Sequence, residues 1–154
     1  MRLNELKMSV LLLALLNVTA CSTGTPDCGS SEVKADLNEL AEQRIANAIN
    51  NEMQLAPSDR EKVAAAVKDR LTYAFSAIRK TDHDESTDTY QCSSTLTANV
   101  EGAGRNWEHE FVYEVFSVED ENSNYQLNYD PAGLGPVAYA ALAVRNQPET
   151  FSGN

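Results

Sequence analysis

Between residues 90 and 129 the chain alternates, and that alternation restricts its fold more than any other feature. Tyr90, Cys92, Ser94, Leu96, Ala98 and Val100 fall on one side of a two-residue repeat, with Gln91, Ser93, Thr95, Thr97 and Asn99 on the other. The pattern returns with Trp107, His109, Phe111, Tyr113 and Val115 against Glu108, Glu110, Val112 and Glu114. It returns again with Tyr125, Leu127 and Tyr129 against Gln126, Asn128 and Asp130. A period of two is the pleat of a β-strand, so each stretch reads as a strand with one buried and one wet face. Glu101-Gly102-Ala103-Gly104 is a hairpin loop, and residues 119–124 are a second, acidic turn. Successive hairpins make an antiparallel sheet, whose apolar face needs a cover.

The cover is predicted from the other periodicity. Val33, Leu37, Leu40, Ala41, Ile45, Ala48 and Ile49 form a helical stripe, opposite Lys34, Glu39, Glu42, Gln43 and Asn47. Ser30 or Ser31 can cap this helix, which should end near residues 50–52. Pro57 breaks the chain, and Ser58 with Glu61 reads as a capping box for a second helix carrying Val63, Ala66, Val67 and Leu71. The helical period can be continued through Ala74, Phe75 and Ile78, but the aromatics and Thr72 favour a strand from about Leu71. Residues 81–86 read as a polar turn. The fold class expected is α+β, with one or two N-terminal helices packed on one face of a curved antiparallel meander of about four strands. The outline is similar to cystatin-like or NTF2-like domains, an analogy that carries no function. After a Gly/Pro-rich turn at 131–136, with Pro136 suited to a first helical position, residues 137–144 are apolar nearly all round. That segment either caps the core or packs on a partner protein or lipid, and it lacks the basic face of an amphipathic membrane helix. The reading is one domain over residues 30–146 with a flexible tail at 147–154.

The N-terminus specifies an address. Residues 1–7 carry Arg2 and Lys7, residues 8–16 are apolar, and Val18-Thr19-Ala20 places small residues before Cys21. A basic start, a short apolar core and small residues make a secretory signal over 1–20. The apolar run is shorter than the ~20 residues that span a bilayer. Val18-Thr19-Ala20-Cys21 resembles a bacterial lipobox. That resemblance implies a diacylglyceryl thioether on Cys21, cleavage before it and acylation of the new N-terminus, so the protein would be anchored by acyl chains and not by a span. Ser22 in place of Asp implies, by the same resemblance, export to the outer membrane facing the periplasm, with the inner membrane as the alternative. Residues 21–29 would then be a short tether.

With Cys21 given to lipid, Cys28 and Cys92 remain, and an oxidising compartment permits a bond between them. A Cys28–Cys92 disulfide would tie the start of the first helix to the sheet and is worth ~4 kcal/mol on the chain-entropy model. Tyr90-Gln91-Cys92-Ser93-Ser94-Thr95-Leu96, with a Cys ahead of a first helix, resembles a group of short uncharacterised exported bacterial proteins and lipoproteins, and implies no activity. The net charge is −11, and it becomes −12 without residues 1–20, where Arg2 and Lys7 outnumber Glu5. Such a surface argues against nucleic acid and anionic headgroups and favours solubility or a basic partner.

Chemistry-bearing patterns are few. The acids of residues 82–88 have the spacing of a calcium loop but lack its glycine and its final glutamate, so they read as a solvated turn. His83 and His109 have no neighbour placed as a nucleophile's partner, and His109 falls on the apolar side of its strand. No metal, cofactor or catalytic set is expected. Glu108, Glu110 and Glu114 line the outward side of one strand, either as a solvated face or as a docking surface for a basic protein, and Trp107 and His109 join them as candidate contacts for a partner or ligand. The first functional reading is therefore a non-enzymatic, lipid-anchored interaction module of the cell envelope. The second is a small-molecule or lipid carrier with a cavity under the sheet, lined by Tyr73, Phe75, Trp107, Phe111, Tyr113 and Tyr129. The same aromatics could instead fill a solid core.

Overall fold

Ser30 stops the chain from continuing extended: its Oγ accepts the Val33 N–H at 3.2 Å and starts helix α1, Ser31–Asn47. The computed structural model describes residues 24–118 and 123–151; the signal, Cys21 and most of the predicted acidic turn at 119–124 lie outside them. Helix α1 buries Val33, Leu37 and Ala41 and leaves its acidic side wet. It ends in a π turn, Ala48–Glu52, braced by an Arg44–Glu52 ion pair. Gln54 takes a φ of +50° and turns the chain toward helix α2, Pro57–Arg70. The capping box expected at Ser58 does not form. The helix begins two residues earlier, with Ala56 at the cap and no side-chain cap bond. Pro57 has its φ already set for a first turn and has no N–H to satisfy there, so the start needs no hydroxyl.

Strand β1, Leu71–Asp84, follows with no intervening turn. β2 is Thr89–Val100, β3 is Asn106–Ser117 and β4 is Tyr125–Tyr129. They form one antiparallel meander in the order β1-β2-β3-β4. The turn expected at 81–86 is shorter than predicted: β1 stays paired with β2 as far as Asp84 opposite Thr89. Polar side chains do not end a strand when backbone pairing continues. The β1–β2 register shifts twice, between Ser76 and Arg79 and between Lys80 and Asp82, and Ala77 takes a φ of +49° at the first shift. In the loop after β2, Gly102 and Gly104 take φ values of +80° and +67°, a conformation that favours glycine.

On β2 Cys92, Ser94, Leu96, Ala98 and Val100 are buried as the alternation predicts, whereas Tyr90 is only half-buried and Ser93, on the side expected to be wet, is buried beside Glu110. The cover is a third helix as much as the first two. A 3-10 turn, Pro131–Leu134, capped by Asp130 through the Ala132 N–H at 2.9 Å, leads into α3, Gly135–Arg145. α3 packs on β2 and β3 and touches both other helices. Its Val137, Ala140, Ala141 and Val144 are buried, so the apolar segment caps the core. Only Tyr139 and Leu142 break that pattern on the outside. Gly133 allows the approach, because a Cβ there would sit 2.8 Å from Phe111 Cδ2. Beyond α3, where a flexible tail was expected, Thr150 is buried and donates to Val144 O at 2.6 Å. Gln147 there joins Arg70 to the Glu101 carbonyl. The fold is α+β, three helices on one face of a four-stranded antiparallel sheet.

Candidate functional site

The disulfide sets the frame. Cys28 and Cys92 are bonded, with Cα atoms 5.7 Å apart, and both are buried. The carbonyl of Cys28 also accepts the Tyr113 hydroxyl at 2.9 Å, so the start of α1 is fastened to β2 and β3 together. Burial, with Asp27 nearby, pushes the Tyr113 phenol up to about 12. Tyr125 on β4 donates to Asp36 Oδ2 at 2.7 Å and fastens α1 to the far strand; burial first and Asp36 second raise its phenol well above the ordinary value.

All three helices lie on one face, so among the described residues no helix covers the other face of the sheet. Glu108, Glu110 and Glu114 stand on it in a row along β3. Glu110 accepts from Ser93 Oγ at 2.7 Å and from Arg79 at 3.1 Å. Glu114 accepts from Asn128 Nδ2 at 3.0 Å, and Glu108 accepts from Thr97 Oγ1 at 3.4 Å. Arg79, which sequence reasoning did not single out, is 31 residues from Glu110, and only the β1–β2 shift of register brings it there.

Trp107 and His109 lie on the helix side, at the start of β3. Trp107 is half-buried under the Arg105 guanidinium, 4.5 Å from its ring centre. His109 shares the alternation of Phe111 but is exposed, because β4 and the core of α3 do not reach it. It is a rim residue beside a groove formed with Pro136 and Tyr139. Of the aromatics proposed to line a cavity, Phe111 and Tyr113 are packed among Phe75 and Tyr129, with ring centres 5.5 to 5.9 Å apart. The space under the sheet is occupied by α3. The apolar groove lies instead between α1 and α2, about 620 Å³, floored by Ile45, Ile49, Val67 and Leu71.

At the other end of the sheet, Asp84 and Asp88 of the β1–β2 turn are engaged in hydrogen bonds within the chain. Asp84 accepts the Ser86 N–H and hydroxyl at 2.9 and 2.6 Å. Asp88 accepts the Thr25 N–H at 3.0 Å and faces His83 Nε2 at 3.3 Å; the Thr25 N–H first, and His83 after it, hold its carboxyl below the usual range. His83 stacks on Tyr90 with ring centres 4.2 Å apart, and Lys80 Nζ lies 5.0 Å from the same ring. Among the described residues no group of three His, Cys, Asp or Glu could hold a metal ion, and no helix is long and apolar enough to cross a membrane. Comparison with family models, curated proteins and solved structures finds no match.

Proposed function

We propose that this protein is a lipid-anchored, periplasm-facing lipoprotein that acts without catalysis, as a protein-interaction module of the cell envelope. One observation carries the interaction: the open sheet face presents Glu108, Glu110 and Glu114 in one row on a chain of net charge −11. Carboxylates on an exposed face steer and orient a basic partner; they lack the burial that acid–base catalysis requires. The lipobox-like Cys21 supports the anchor. Thr25, pinned to Asp88, supports an orientation, because a lipid on Cys21 would lie within ~14 Å of Thr25 along an extended chain. The β1–β2 turn then faces the membrane and the loop after β2 faces away.

Intact-mass analysis of membrane-purified protein, before and after reduction, tests the anchor. Acyl chains on Cys21 and no other free thiol are expected, and an unacylated mass defeats the proposal. In-cell photo-crosslinking from the open face tests the module, with an adduct to a basic envelope protein as the expected product. A second reading, a carrier of a small apolar molecule, draws on the α1–α2 groove. Native mass spectrometry of delipidated protein would show a retained ligand if that reading holds.

A further inference from the structure

Strand β3 has a neighbour on both sides over only part of its length. β2 pairs with it from Asn106 to Phe116, whereas β4 pairs only with Tyr113 to Ser117. The Val118 N–H donates to Asn124 O at 3.1 Å. Because backbone groups point to alternate sides of a strand, the even-numbered residues of β3 aim their N–H and C=O groups toward the β4 side. Asn106, Glu108 and Glu110 therefore present backbone donors and acceptors where no described strand lies, while Val112 stands at the end of the β4 pairing. All four are exposed, Val112 by 57%. The opposite edge of the sheet is defended: β1 carries two shifts of register, a left-handed Ala77, and Arg79 and Lys80. Bulges and basic side chains are the devices that keep edges from pairing. The free stretch of β3 has no bulge and an unbroken register with β2.

We propose that residues 106–112 of β3 take up an extended segment of a partner protein as an added strand, and that this segment alternates basic with apolar residues. The proposal rests on the interaction-module reading and names its site and its partner's chemistry. Main-chain bonds to an open edge give affinity, and pockets for alternate side chains give specificity. On the open face the added residues stand beside Glu108 and Glu110, of which Arg79 pairs with only the second. On the helix side they fall beside Trp107 and His109, over a groove of about 490 Å³ closed by Pro136 and Tyr139. Tyr139 is 62% exposed on a helix whose other large side chains are mostly buried, which gives an apolar residue a surface to rest on. A second copy of the chain is the wrong occupant. Antiparallel pairing of two such edges would set Glu108 and Glu110 against their own counterparts and join two chains of net charge −11.

The test uses the full chain in detergent micelles and a fluorescein-labelled peptide of alternating lysine and valine, read by fluorescence anisotropy. Saturable binding is expected, with none for the glutamate–valine counterpart and none for the lysine–valine peptide N-methylated at alternate residues. Glu108→Pro removes an outward N–H without removing a bond to β2, and should weaken binding at least about tenfold. Glu108→Lys with Glu110→Lys should do the same while leaving the edge intact. Equal binding by the N-methylated peptide would show charge adsorption alone and overturn the proposal. So would no binding of the lysine–valine peptide, undiminished binding by a folded Glu108→Pro protein, or a concentration-dependent dimer. A photo-crosslinking residue placed at position 112 or 64 in cells separates this proposal from the reading beneath it. Adducts from 112 that Glu108→Pro abolishes support both. Adducts only from 64, in the α1–α2 groove, overturn the edge and keep the module. No adduct from either position overturns the module itself.

Discussion

Replacing both bonded cysteines, Cys28→Ala with Cys92→Ala, should cost a large share of the stability of the domain. The bond closes a loop with a sequence separation of 64. On the chain-entropy model a loop of that size removes ~4 kcal/mol of freedom from the unfolded chain. Truncating two side chains that are 1% and 0% exposed adds roughly 1 kcal/mol of lost packing. A total of ~5 kcal/mol is a large share of the 5–15 kcal/mol that holds a domain folded. The native state should survive the change locally, because the Tyr113 hydroxyl still holds the Cys28 carbonyl at 2.9 Å and Ser30 still caps α1. The loss therefore belongs to the unfolded state, which expands when the link is cut. Urea denaturation followed by tryptophan fluorescence should show a lower unfolding free energy together with a steeper dependence on urea. Wild-type protein unfolded in the presence of a reductant should lose the ~4 kcal/mol part alone. A loss under about 2 kcal/mol with an unchanged slope would refute the argument, because the link would then constrain nothing the unfolded chain explores.

Three further outcomes are expected. Gly133→Ala drives a Cβ to 2.8 Å from a Phe111 ring already held by Phe75, Tyr113 and Tyr129, and should cost ~1–3 kcal/mol in a thermal melt; an unchanged melting temperature would show that the ring can move. Tyr113 and Tyr125 both have phenols raised above their ordinary 10.0, so the folded state prefers them neutral. Their stabilisation is complete below that pH and lost as pH rises through the folded values; urea midpoints should fall in the alkaline range, less so in Tyr125→Phe, and a flat alkaline profile would contradict this. Asp88, lowered from 3.8 chiefly by the Thr25 N–H, contributes above that pH and ceases to as pH falls below it. Asp88→Ala should speed hydrogen exchange at the Thr25 amide while leaving the core amides alone, and unchanged exchange at Thr25 would show that the turn does not hold the N-terminal segment.

The sheet was legible wherever one face meets the core. Period two on residues 90–100 predicts the burial of Cys92, Leu96, Ala98 and Val100, because a strand covered on one side has no other way to sort its residues. β1 was harder for the same reason reversed. Its outer half pairs through backbone while Thr81, Asp82 and Asp84 stay wet, and its first bulge turns on Ala77, a residue that advertises no positive φ. The segment at 137–144 was ambiguous because a helix apolar on every side shows no preferred face. The structure uses that by wedging α3 between the sheet and two helices. What joins the elements spans long separations: Arg79 with Glu110 across 31 residues and Asp36 with Tyr125 across 89. No local pattern encodes such pairs. The open edge of β3 was invisible for a related reason, since alternation marks which residues are strand but not which of their backbone groups find a neighbour. His109 shows the consequence: its alternation is that of a core residue, and its exposure is set by where β4 stops.

On the proposed reading the anchor and the free edge of β3 stand at opposite ends of the sheet, and that placement would answer a problem that each creates for the other. An unbulged strand edge is an invitation to pair, and tethering many copies to one membrane plane would raise their local concentration and sharpen the hazard. The acidic row answers it from both sides. Glu108 and Glu110 stand beside the exposed backbone groups, so two like edges meet with like charge, while a basic strand meets opposite charge. On the same reading, the net negative charge would keep the domain off anionic headgroups and leave Thr25 on Asp88 to fix how it stands. β2 runs from that turn for 12 residues, ~40 Å of strand, and residues 106–112 pair with its residues 93–99, toward the far end. On the proposed anchor, the free stretch of β3 is therefore held away from the lipid, where a partner of opposite charge can reach it without repulsion.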